Sequence, residues 1–361
     1  SSIKRKVLLD QDDVDFFIVN PDGIDIIKDK LKARGDIDLI VFDEVAVFRN
    51  AHTARWKSAK ELIAPNMWVW GLSGTPVPNA PTDAYGSMKL IKPENYPASF
   101  TRFKEATMLQ IGPFKFIPRK GAEEAVARIL QPSIQYGRNV CTDMEPCFIE
   151  RTCELSKEQL QHYSKLVSDA KTLVRGSQVT AVNAGVLLSK LCQCALGGMY
   201  DSNGDFAMVD CAPRMRVVEE LIEENEEKII VFAPFTGVLN AIAKELRKHW
   251  TVEIVDGSVS AGRRNKIFQD FQNTPNPHIL VCHPACMCHG LCLDKASLNI
   301  WFGPTVKNEE FEQAIARIDG AGQKVKMDTA CISATPVERE IYRVLREKGK
   351  MQQVVLDLAK G

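Results

Sequence analysis

Short, nearly unbroken apolar runs alternate with stretches of helical spacing along most of the chain. Ile37-Asp38-Leu39-Ile40-Val41-Phe42 leads into Asp43-Glu44, and Met67-Trp68-Val69-Trp70-Gly71-Leu72 leads into Ser73-Gly74-Thr75-Pro76. Apolar runs of about six residues are what a sheet covered on both faces requires. Both segments therefore predict buried parallel strands, with Trp68 and Trp70 as core or lobe-surface residues rather than base-stacking platforms. Asp15-Phe16-Phe17-Ile18-Val19 predicts another such strand, ending at the turn Asn20-Pro21-Asp22-Gly23. Ile24 to Ala33 and Ala54 to Ile63 carry helical spacing, and this alternation predicts an α/β fold with a doubly wound parallel sheet.

The second half repeats the pattern. Strands are expected at 228–232, 251–255, 278–282 and 298–302, with helices at 236–248, 261–271 and 308–318 between and after them. A helical stretch over 156–196 opens with Ser156-Lys157-Glu158-Gln159, a capping pattern, and the loop 200–205 follows it. The expected organisation is a first lobe over 1–155 and a second over 156–361, the latter preceded by a helical insertion at 156–200. Within the first lobe, 93–139 is rich in proline, glycine and basic residues (Arg102, Lys104, Lys115, Arg119, Lys120, Arg128, Arg138). This elaboration reads either as a local basic surface or as an ordinary solvated face.

Composition narrows the class. With 361 residues and 45% hydrophobic content the chain suits about two domains of ~150 residues and is too apolar for a disordered tail. Lysine plus arginine and aspartate plus glutamate both total 46, which excludes an obligatory polybasic binder but not a local basic stripe. No apolar run reaches the ~18–20 residues of a membrane span, and the start, Ser1 to Lys6, lacks the apolar core of a signal peptide. With no initiator methionine, it reads as a processed, trimmed or tagged end. Eleven cysteines, an odd number with several inside strand-like runs, fit reduced intracellular thiols better than a disulfide framework. A soluble cytoplasmic protein is expected, monomeric and without a membrane partner.

Asp43-Glu44 is the strongest chemical signal. Hydrolysis of a nucleoside triphosphate needs one carboxylate to hold magnesium and another group to orient or deprotonate water. Asp43 suits the first task and Glu44 the second. Taken alone, the pair reads more readily as a polar turn after a strand. The next strand tip, Ser73 to Asn79, adds small hydroxyl residues able to report nucleotide state. Cys282-His283-Pro284-Ala285-Cys286-Met287-Cys288-His289, with Cys292 beyond, is dense in soft ligands. Its spacings do not match paired Cys-x-x-Cys zinc sites, so reduced thiols are the simpler reading.

With these residues in place, the chain resembles the superfamily-two helicase ATPases, closest to the Swi/Snf-like branch and its small phage-type members. Asp43-Glu44-Val45-Ala46 resembles motif II, with Arg49-Asn50 after it. Gly71 to Asn79 resembles motif III with Ser73 in place of a threonine, and Asn20-Pro21 sits where motif Ib would lie. Ile230-Val231-Phe232 resembles motif IV, His289 to Ala296 motif V, and Gln313 to Gln323 motif VI. The resemblance implies two RecA-like lobes that close on ATP and Mg2+ and step along DNA, usually double-stranded. It implies catalytic roles for Asp43, Glu44, Gln313 and Arg317, and nucleotide contacts at Ser73, Gly74, Thr75, Gly290 and Asp294. It places DNA at Asn20, Pro76, Asn79, Gly257, Ser258 and His289. It also allows a bacterial, phage-infected or nuclear setting.

Two departures stand out. No Gly-x-x-x-x-Gly-Lys-[Ser/Thr] stretch occurs in the sequence. The first lobe is thus expected to lack its phosphate-binding strand and loop, as though truncated before motif Ib. In motif VI, Gly320 takes the place of the second arginine. The expected function is DNA-dependent ATP hydrolysis coupled to translocation or remodelling, impaired in this chain. The alternatives are a non-catalytic DNA-binding or partner-docking remnant of the same fold, or a metal-binding regulatory module.

Overall fold

The computed structural model describes residues 6–73, 77, 80–95, 99–112, 115–134, 147–176, 181–200, 206–287, 293–318 and 328–347. The chain divides into two compact units, Ser1–Gln135 and Tyr136–Gly361.

In the first unit a 3-10 turn leads into α1 (Ile24–Arg34), which stops at Gly35 with φ 72°, a left-handed conformation suited to glycine. β1 (Leu39–Phe42) and β2 (Trp68–Gly71) flank α2 (Ala54–Leu62), whose N-cap Thr53 accepts the Trp56 N–H at 3.2 Å. The two strands pair in parallel, with Leu39 opposite Trp68 and Val41 opposite Trp70. Ile27 and Leu31 of α1, with Trp56, Ala59 and Leu62 of α2, close over Phe42, Ile40 and Val69. Then come α3 (Ala84–Ile91), α4 (Phe100–Thr107), the antiparallel pair β3 (Met108–Gly112) and β4 (Lys115–Pro118), and α5 (Ala122–Ile129). All of these but α3 lie in the basic elaboration, where the Lys104 ammonium sits 3.3 Å above the Phe116 ring.

Two expectations for this unit need correction. Residues 15–19 form no strand: Ile18 is 99% exposed, while Phe17 and Val19 lean on the α1–α2 core. A strand requires a paired neighbour for its backbone, and the described residues offer none. Likewise β2 is not buried on both faces. Trp68 is 72% exposed and Trp70 56%, and their cross-strand partners Leu39 and Val41 are open too. The sheet has helices on one face, so alternate side chains of an unbroken apolar run are left bare.

In the second unit the expected doubly wound parallel sheet is present. β5 (Cys147–Thr152) precedes α6 (Lys157–Gly176) and α7 (Ala181–Ala195). Ser156 and Gln159 cap α6 reciprocally, at 3.1 and 3.0 Å. A small hairpin, β6 (Gly198–Tyr200) and β7 (Phe206–Met208), leads to α8 (Ala212–Glu223) and β8 (Lys228–Phe232). The chain continues through α9 (Thr236–Leu246), β9 (Val252–Val255), α10 (Ala261–Asn273), β10 (Ile279–Cys282), β11 (Ala296–Trp301), α11 (Asn308–Ile318), β12 (Asp328–Ser333) and α12 (Pro336–Arg346).

Six strands pair in parallel in the order β5-β12-β11-β8-β10-β9. Alternate residues separate cleanly. Ile230, Phe232, Leu280 and Trp301 face α10, α11 and α12, whereas Ile229, Val231, Ile279 and Ile300 face α8 and α9. β5, upstream of the expected lobe boundary at 155, belongs to this second sheet through its pairing with β12.

Candidate functional site

The first unit's site forms where β1 and β2 end. Asp43 and Glu44 follow β1 directly, and Glu44 takes the left-handed conformation (φ 52°, ψ 58°), the sole positive φ among described non-glycine residues. Such a conformation costs a side-chain-bearing residue roughly 1–3 kcal/mol and persists only where its surroundings impose it. Here they do. The Val45 N–H donates to the Leu72 carbonyl at 2.8 Å, and the Leu72 N–H donates to the Phe42 carbonyl at 2.9 Å, stitching the two strand tips together. Ser73 Oγ donates to Glu44 Oε1 at 3.0 Å. Asp43 is exposed, and no described residue engages its carboxylate. A free carboxylate beside one already oriented suits a hard divalent cation and a positioned water. The pair therefore fits magnesium, and Asp43 would hold it. Gly74, Thr75, Pro76 and Asn79 lie outside the described residues.

The remaining site residues are placed as follows. Asn20 is exposed, and its side chain accepts the Asp22 N–H at 2.9 Å, capping the turn before α1. In the second unit, Ser258 donates to the buried Asp256 through both its N–H (2.9 Å) and its hydroxyl (2.6 Å), and space around Gly257 is open. Asp294 accepts from Gln272, whose side-chain oxygen accepts the Lys295 N–H at 3.2 Å. Gln313 is half-buried on α11, and Arg317 lies in that helix's last turn with its side chain outside the described residues. Gly290 and His289 also lie outside them. No group of three or more His, Cys, Asp and Glu residues that could hold a metal by themselves occurs among the described residues. Burial pushes the Cys282 thiol well up and raises that of Cys286.

The sequence reading missed one buried pair altogether. Arg214 on α8 meets Glu338 on α12 at 2.7 Å, both side chains 1% exposed. The Arg214 guanidinium also donates to the carbonyls of Phe302 and Ile332, at the carboxyl ends of β11 and β12. The other Glu338 oxygen accepts from the Thr335 hydroxyl and from the N–H groups of Ala334 and Thr335. Thr335-Pro336-Val337-Glu338 is a capping box, a signal that was available.

Residues 10–195, more than half of the chain, match the SNF2-related domain. The chain belongs to the SNF2-related family. Residues 213–322 of this SNF2-related chain match the helicase conserved C-terminal domain. The superfamily-two, Swi/Snf-like resemblance carried by the motifs is thereby shown. Among curated relatives it is 24% identical over 271 residues to the SWI/SNF-related matrix-associated actin-dependent regulator of chromatin subfamily A-like protein 1 of Xenopus tropicalis, covering 73% of this chain and 27% of that protein. It is 23% identical over 340 residues to an uncharacterized ATP-dependent helicase of Mycoplasma pneumoniae, covering 89% and 31%. The chain thus spans between about a quarter and a third of the length of these relatives.

Two solved structures are similar to the SNF2-related chain. The Sulfolobus solfataricus SWI2/SNF2 ATPase core in complex with dsDNA shows 22% identity and a TM-score of 0.46, over 94% of this chain and 72% of that one. The C-terminal part of the Fun30 ATPase domain shows 15% identity and a TM-score of 0.49, over 60% and 97%. No helix among the described residues is long and apolar enough to cross a membrane.

Proposed function

We propose that this chain carries the water-activating half of an ATPase that works on duplex DNA. The observation that carries the reading is the pair of adjacent carboxylates at the tip of β1, with Asp43 unengaged among the described residues and Glu44 held by Ser73. Bound ATP and magnesium would supply the phosphoryl group and the charge that compensates its transfer. Asp43 holds the cation, directly or through water. Glu44 orients and deprotonates the attacking water, and its bond from Ser73 leaves one carboxylate oxygen, Oε2, for that water. Because Ser73 opens the loop to Asn79, the same bond ties hydrolysis to that loop. Gln313 and Arg317 are assigned as further nucleotide contacts, together with Gly74, Thr75, Gly290 and Asp294. Asn20, Pro76, Asn79, Gly257, Ser258 and His289 are assigned to DNA. Contacts to phosphates suit a motor that must ignore sequence.

The triphosphate cradle is assigned to polypeptide outside these 361 residues. The bare apolar face of β1 and β2 supports that assignment, since parallel sheets are covered on both faces. A second reading, a non-catalytic DNA-binding or partner-docking member of the family, is favoured by Gly320 at the second arginine position of motif VI. The test is ATP turnover by the full natural polypeptide with and without duplex DNA. Stimulation by DNA supports the motor, whereas salt-sensitive DNA binding without turnover supports the second reading.

A further inference from the structure

Helix α3 grips the turn that carries Glu44. Its buried Ser87 hydroxyl donates to the Val45 carbonyl at 3.0 Å. One residue earlier, Gly86 approaches so closely that a Cβ there would lie 2.2 Å from the Arg49 carbonyl oxygen and 2.4 Å from that of Phe48. The Gly86 N–H donates to the Arg49 carbonyl at 3.2 Å, and the Gly86 carbonyl accepts the Trp56 indole N–H from α2 at 2.7 Å. Val45 is held from the other side as well, its N–H donating to Leu72 at 2.8 Å. Both backbone polar atoms of the residue after Glu44 are therefore engaged, one by the end of β2 and one by Ser87. Glu44 itself sits in a conformation that a side-chain-bearing residue leaves when it is free to do so.

We propose that Ser87 is a positioning residue for the Glu44 carboxylate. The proposal rests on the reading of Glu44 as the water-activating group. Ser87 touches no reacting atom. Its hydroxyl pins the Val45 peptide, and that peptide fixes the backbone from which the Glu44 side chain points. With the pin removed, the turn relaxes towards right-handed geometry and the carboxylate swings away from Ser73 and Asp43. Gly86 makes the grip possible, because any side chain there would push α3 off the carbonyls of Phe48 and Arg49. Trp56 fixes α3 in turn, so the brace runs from α2 through α3 to the turn.

The experiment compares wild type, Ser87→Ala and Glu44→Gln in the full natural polypeptide. It reads DNA-stimulated ATP turnover and, separately, amide hydrogen exchange across residues 43–50 without nucleotide. For Ser87→Ala, turnover is expected to fall by about ten- to a hundredfold, the penalty of a misplaced catalytic group, with KM for ATP held within about twofold. Exchange of the Val45 and Val47 amides is expected to quicken by about tenfold while α1 stays protected. Unchanged exchange in the turn overturns the proposal. So does wild-type turnover in Ser87→Ala when Glu44→Gln has none. If wild type itself shows no turnover, or Glu44→Gln retains it, the motor reading fails and takes this proposal with it.

Discussion

Ser73, two residues past the end of β2, donates its hydroxyl hydrogen to Oε1 of Glu44, two residues past the end of β1, across 3.0 Å. The register that sets Phe42 beside Gly71 brings the two tips together, and the Leu72–Val45 bond holds them there. It is a side-chain link between the two motifs that define the first unit's site, beside the backbone bond from Val45 to Leu72. It joins a loop of small residues to the carboxylate with the most constrained backbone in the described chain.

Ser73→Ala removes that link without changing either strand. A hydrogen bond to a charged group contributes about 1.5–3 kcal/mol, so turnover in the full polypeptide should fall by roughly ten- to a hundredfold. ATP affinity should barely move, since the bond orients Glu44 rather than the nucleotide. Parallel steady-state turnover and equilibrium ATP binding check this, and equal loss of both would show that Ser73 acts on binding.

The open face of the β1–β2 sheet makes a prediction that separates it from a strand buried on both faces. A buried tryptophan truncated to alanine costs about 3–5 kcal/mol. Trp68 is largely in solvent here, so Trp68→Ala in the 361-residue polypeptide should change unfolding stability by no more than about 1 kcal/mol. Denaturant unfolding of the two proteins decides it. Its indole fluorescence should also be that of a solvated tryptophan.

Arg214 and Glu338 should behave as a unit. Removing one partner from a buried ion pair strands the other charge at a cost of about 3–5 kcal/mol. Arg214→Met and Glu338→Gln should each destabilise the second unit, Arg214→Met the more because it also frees the carbonyls of Phe302 and Ile332. The double variant should lose less than the sum of the two. A thermal-unfolding double-mutant cycle gives the coupling, and simple additivity would contradict the pairing.

The thiols set a pH prediction. Burial raises Cys194 and Cys211 to about 11 and Cys331 to about 12, and pushes Cys282 well up. A raised value keeps the thiol protonated, so thiolate appears only well above neutrality. Alkylation of these four in the native protein should stay slow throughout pH 7 to 9, climbing only in step with the very small thiolate fraction, and become fast only after denaturation. Mass-spectrometric mapping of labelled cysteines tests it. Rapid native labelling of Cys282 would reopen the case for a reactive or metal-binding cluster at 282–292.

The sequence was most readable where periodicity and chemistry coincide. The stretches 229–232 and 279–282 are continuous apolar runs, and the sheet buries them on both faces as such runs demand. Asp43, Glu44 and Ser73 were found from their place after such runs, and two of them are bonded in the fold. The same rule misled at β2, because an unbroken apolar run says that both faces want cover, not that this chain supplies it. Residues 15–19 failed for a related reason, having strand-like residues but no partner edge. β5 and β12, Cys-Phe-Ile-Glu-Arg-Thr and Asp-Thr-Ala-Cys-Ile-Ser, were passed over because their apolar positions are interrupted. Their pairing with each other, distant in sequence, is what makes them strands. Ser87 and Gly86 carry no motif at all, and their importance lies in a close approach that no local pattern records.

The most direct test of the central claim is ATP turnover by the full natural polypeptide carrying Glu44→Gln, beside wild type, with and without duplex DNA. DNA-stimulated turnover in wild type, absent from Glu44→Gln while ATP binding survives, is the result this account predicts. Turnover at the wild-type level in Glu44→Gln would contradict it, because the group held by Ser73 would then not be the one that activates water.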